Sequence, residues 1–185
     1  MGNLEMVNPV NELIYPAASC VCAFAGAAFD IRSRRVPNFL TLPGICCGLM
    51  MHLVLGGWAQ LGTAALAGLI CFGIFLIFWL AGGMGAGDVK LMTAAGCLAG
   101  LPHVGNLLVS TALAGGVMAI VMALWRGRAK ETLLNVGALV VHHRIEGLTP
   151  HPSLNISNSQ TLRLPYAVPI ATGCALALCL AAVQR

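Results

Sequence analysis

Two aspartates, Asp30 and Asp88, are the residues best placed to do chemistry, because each stands against an apolar run on the side where basic residues collect. Acidic groups at membrane depth are costly and tend to mark function. Two carboxyl groups brought together in a partly dry site cannot both ionise easily, so the pair shares a proton. The ionised member can take a proton from water while the protonated member hydrogen-bonds a carbonyl, so a peptide bond is attacked without a covalent intermediate. That is the chemistry of an aspartic endopeptidase. The same two acids could instead be the proton or cation sites of a small ion-coupled transporter or channel, or survive in a scaffold that has lost catalysis. Simpler roles exist as well. Asp88 could cap a helix N-terminus. Asp30 would face the unfavourable end of a helix dipole, with Arg32 or Arg34 offsetting part of the cost.

The elements that must position these residues follow from composition. The chain has 185 residues, of which 58% are hydrophobic and only 9% charged, and its mean hydropathy is +0.87. Soluble domains carry about 25% charged residues. So few charges cannot solvate a compact body, and the apolar excess needs a bilayer. The numbers exclude a water-soluble globule, a disordered chain and a secreted disulfide scaffold. A formal net charge of +4 with no aromatic-interleaved basic face argues against nucleic acid as a partner. The eight cysteines all fall within apolar runs and form no C-x-x-C pair, so they read as small buried residues. No metal site is expected, and His52 and His103 fall on the side away from the two acids. The first twelve residues contain no basic residue before the first apolar run, which argues against a cleavable signal peptide.

Apolar runs at 13–29, 39–55, 61–81, 89–101, 104–125 and 165–183 predict an all-α, polytopic membrane protein with about six transmembrane helices. The whole chain, 1–185, reads as one integral membrane domain. Its single long connection, 126–163, is polar and holds a short apolar stretch, 133–141, that reads as an interfacial segment. Lys and Arg concentrate between the first and second runs, at Lys90, and in the 126–163 loop. These loops are therefore assigned to the cytoplasm and both termini to the outside. The fourth run is short for a span, about 20 Å of helix against a hydrocarbon core of about 30 Å. The Gly-rich stretch before it suits an unwound backbone, which survives at membrane depth only when buried in protein or lining a wet cavity.

The segments D-I-R-S-R-R-V-P-N at 30–38 and G-A-G-D-V-K at 85–90 together closely resemble the two signature segments of the type IV prepilin peptidases, the second being that family's G-x-G-D motif. The likeness extends to six spans and to Pro165-Tyr166 at the start of the last helix, and the short chain resembles the TadV/CpaA branch. The resemblance implies an aspartic endopeptidase of the bacterial inner membrane, with Asp30 and Asp88 as its catalytic pair. It would cut the leader of Flp-type prepilins and related pseudopilins after a glycine, at the cytoplasmic face. It would need no cofactor, and the pilus assembly machinery would be a further partner. Gly85 and Gly87 would shape the loop that presents Asp88, through positive φ or close backbone approach. Pro37 and Asn38 would open the second helix, with Asn38 as its N-cap. Lys90 would anchor its helix at the interface, depress an aspartate or contact a substrate carboxyl group. Longer family members carry an N-terminal zinc module and are associated with N-methylation, which is not expected of this chain. A presenilin-like reading fits less well, because Asp30 follows Phe29 and opens a basic loop rather than standing in a Tyr-Asp pair.

Overall fold

The computed structural model describes residues 9–127 and 166–183, with 134, 135, 137, 138 and 147 between them. Most of the expected 126–163 loop, including five of the nine residues of its apolar stretch 133–141, and Pro165 lie outside the described residues. Five helices are described: α1 (Pro9–Ser33), α2 (Asn38–Leu80), α3 (Ala86–Ala99), α4 (Leu101–Trp125) and α5 (Ala167–Val183). The stretches Leu13–Ser33, Asn38–Leu80 and Leu101–Trp125 are long and apolar enough to cross a membrane, and α5 is a shorter apolar helix.

The second and third apolar runs appear as one helix, α2, broken at Gly57 by a non-helical backbone, φ 71° and ψ −168°. That region of backbone space is essentially open to glycine alone. In a straight helix, residues 48 and 68 would be about 30 Å apart. Both Gly48 and Gly68 instead lie against Cys97 of α3, so the two arms of α2 fold back on one another.

The central element is α3, whose length of about 21 Å falls short of a hydrocarbon core of about 30 Å. Ten of its fourteen residues are buried, including Leu91 and Met92, which are wholly enclosed. Small residues make this possible by letting helix backbones approach closely. A Cβ added to Gly48 would fall 2.8 Å from the Cys97 carbonyl carbon and the Leu98 nitrogen, and one added to Gly173 would fall 2.6 Å from Thr111 Cα. The outward faces are apolar instead. Val109, Leu113, Val117, Ile120, Val121 and Leu124 of α4 are all exposed.

The end of α3 remote from Asp88 is tied by a polar cluster. The Tyr15 ring stacks on His52 at 3.9 Å, and its hydroxyl donates to Gln60 Oε1 at 3.1 Å. His52 Nε2 lies 3.3 Å from the Leu98 carbonyl. These contacts join α1, both arms of α2 and the C-terminal end of α3. All eight cysteines are free thiols. The expectation that all are buried fails for Cys46, Cys47 and Cys179, which are exposed, because the apolar arms of α2 and α5 also present outward faces.

Candidate active site

Asp30 occupies the last turn of α1, where the chain must leave the helix. The Arg34 N–H donates to the Asp30 carbonyl at 2.7 Å, and Arg34 adopts a left-handed φ of 53°. A short link through Val36 then reaches Pro37 in extended conformation, φ −76° and ψ 145°, which begins α2. Pro37 thus occupies the cap position and Asn38 is the first helical residue. The expected N-cap role of Asn38 is not what the structure shows. Its side chain instead accepts a hydrogen bond from Lys90 Nζ at 3.0 Å, tying the start of α2 to the first turns of α3. Lys90 therefore turns towards α2.

Asp88 stands in the first turn of α3 and is only 8% exposed. The cap residue of this helix is Gly85, in extended conformation, and its backbone N–H donates to Asp88 Oδ2 at 3.3 Å. The carboxylate therefore serves the helix N-terminus from within the first turn, where the dipole also favours negative charge. Of the two reasons expected for glycine in this motif, close approach is the one that operates. Gly85 has φ −80°, and the positive φ of the loop falls at Gly82. A Cβ on Gly87 would lie 3.2 Å from Val36 Cβ and 3.4 Å from the Val36 nitrogen, and one on Gly85 would lie 3.2 Å from Asp88 Oδ2. The absence of side chains lets the first turn of α3 rest on the link that follows Asp30.

The N-terminus of α5 supplies the third wall. The backbone N–H of Ala167, a residue with no exposure, bonds the Asp30 carboxyl group. Tyr166, just ahead of α5, packs against the core and lies within electrostatic reach of Asp88. The Ala167 donor leaves no trace in the sequence, because any residue but proline carries a backbone N–H.

The two aspartates interact electrostatically. Burial first, and the neighbouring Asp30 carboxylate second, push Asp88 up to about 7, against the pull of the Gly85 hydrogen bond. A carboxyl group so placed is half-protonated near neutrality, which suits an acid and base sharing one proton. The site therefore assembles Asp30, Asp88, Gly85, Gly87 and the start of α5 at one end of the bundle. Pro37, Asn38 and Lys90 form its flank.

Residues 17–123 match the type IV leader peptidase family. The chain belongs to that family. Among its relatives are proteins named prepilin leader peptidase/N-methyltransferase. One from Burkholderia pseudomallei is 33% identical over 137 residues, covering 70% of this chain and 43% of the relative. Another, from Aeromonas hydrophila, is 36% identical over 115 residues, covering 58% and 39%. A third, from Neisseria gonorrhoeae, is 36% identical over 107 residues, covering 54% and 37%. The chain thus matches about two-fifths of the length of these curated relatives. No solved structure matches it. The family match takes in Asp30 and Asp88 and ends before Tyr166 and Ala167, so the leader peptidase segment and the start of α5 meet only in space.

Proposed function

We propose that the chain is an aspartic endopeptidase that removes the leader of type IV prepilins, with Asp30 and Asp88 as its catalytic pair. The observation that supports this reading is a pair of carboxyl groups on separate helices close enough to interact electrostatically, with burial first and Asp30 second raising Asp88 to about 7. Family membership supplies the substrate class. One carboxylate accepts a proton from water as the water oxygen attacks the peptide carbonyl carbon. The other carboxyl group gives its proton to the carbonyl oxygen, forming a gem-diol. As the diol collapses, the second group regains a proton from a diol hydroxyl and the first passes its own to the amide nitrogen. The C–N bond breaks, releasing a carboxylic acid and an amine with the pair back in its starting state.

In this reading the protein is multi-pass in the bacterial inner membrane, with six crossings and both termini outside. The substrate lays its apolar segment in the bilayer and its leader in the cytoplasm, and the cut follows a glycine. Flp-type prepilins and related pseudopilins, which the resemblance to the TadV/CpaA branch suggests, are the proposed substrates, and the pilus assembly machinery is a proposed further partner. Methylation is not proposed. Family membership does not favour the transporter reading. The test is mass spectrometry of a prepilin incubated with the purified protein. A new N-terminus just after a glycine is expected, while Asp30→Asn and Asp88→Asn leave the substrate whole although both variants accumulate in the membrane.

A further inference from the structure

The link that follows Asp30 rests on the turn that carries Asp88, through Val36 and Gly87, so whatever fixes this link helps to fix how the two carboxyl groups stand. Side chains along it do so in sequence. The Ser33 hydroxyl lies 2.7 Å from the Phe29 carbonyl oxygen and 3.1 Å from that of Arg35, which holds the chain against the end of α1. The rings of Phe29 and Phe39 meet edge to face with centroids 5.4 Å apart, joining the turn of Asp30 to the start of α2. Lys90 Nζ then donates to Asn38 Oδ1 at 3.0 Å, joining the start of α2 to the first turns of α3. Asp30 and Asp88 are thereby connected through two adjacent residues of α2.

The acceptor that Lys90 meets is a neutral amide, and an ammonium can only donate, so the amide must offer its oxygen. Among the described residues no carboxylate pairs with this lysine. An acid at position 38 would hold the ammonium more strongly, but it would bring a third negative charge towards two carboxyl groups that must share a proton. Asparagine avoids that cost. Residues two apart on a helix do not face each other, so Lys90 can turn to α2 while Asp88 stays turned to the site. Both Asn38 and Lys90 are exposed, and a single exposed hydrogen bond adds little to the stability of a whole fold.

Resting on the protease reading, we propose that Lys90 and Asn38 form a clasp that sets the separation of Asp30 and Asp88 for the attack of water. They are positioning residues, which touch neither the substrate nor the reacting atoms. The experiment is a double-mutant cycle in the full chain. Lys90→Met keeps the long stem without the donor, and Asn38→Leu keeps the shape without the acceptor. Prepilin cleavage in detergent gives kcat, KM and the pH profile of each variant, with kcat referred to the folded fraction from thermal unfolding. Each single variant loses about tenfold in kcat at unchanged KM, with both pH limbs in place, because a small misplacement of reacting groups is expensive. The double variant loses no more than either single one, since the second change removes a bond already gone. Losses that multiply in the double variant, a raised KM, a pH limb that moves in Lys90→Met alone, or wild-type kcat in either single variant overturns the clasp. With a wild type that cuts, any of these results leaves the protease reading standing. A wild type that cuts no prepilin overturns that reading, and the clasp with it.

Discussion

At the scale of single residues, the proposed chemistry turns on Asp88. Its carboxyl group rises from an ordinary value of 3.8 to about 7, so the folded chain retains a proton that the unfolded chain releases. The neutral form therefore lends its full stability below about pH 4, and that contribution is lost as pH rises through about 7. The stability at stake is at most about 4 kcal/mol. Thermal unfolding in detergent should accordingly show Tm falling between pH 4 and 7 in the wild type, with a much shallower fall in Asp88→Asn. Activity should decline on the alkaline side as pH rises through about 7, because the pair then loses its shared proton. Removing either aspartate should reduce cleavage by about 10² to 10⁴-fold or more, measured by product mass.

Among the helices, glycine sets how closely they pack and so where the carboxyl groups come to rest. A Cβ at Gly48 meets backbone atoms of α3 at 2.8 Å, which cannot swing aside, whereas one at Gly62 meets nothing within 4 Å. Gly48→Ala should cost about 1–3 kcal/mol, and Gly62→Ala should be neutral or slightly stabilising in an exposed helix. Unfolding of the two variants in detergent separates them. Gly87→Ala is a different case. Its obstacle is Val36 in the non-helical link after α1, at 3.2 Å, which must give by a few tenths of an ångström. The expected result is a modest loss of stability with kcat down about tenfold or more, because a small misplacement of reacting groups is expensive.

For the molecule as a whole, the apolar excess is arranged on the outside as well as within. The exposed face of α4, with Leu113 near its middle, has no polar partner among the described residues. Lipid is the solvent that such a face requires. Leu113→Lys should cost insertion about 2.5–3.5 kcal/mol, seen as a smaller fraction of protein resisting carbonate extraction. The opposite pole of the bundle from the aspartates is tied by Tyr15, His52 and Gln60. This arrangement separates a cross-linked end from an end where the Gly-rich link and α5 meet.

The sequence alone determined the solvent, the helical class and the two acids proposed as the catalytic pair, because apolar run length and the cost of charge at membrane depth are local properties. It also placed the glycines beside Asp88, though their use came out as close approach where positive φ had been an equal expectation. Only tertiary structure decided that Asn38 takes the Lys90 ammonium, that α2 doubles back at Gly57, and that Ala167 donates to Asp30. Each of these depends on which backbone atoms residues far apart in the chain bring within a few ångströms, and a backbone N–H looks the same in every residue that has one.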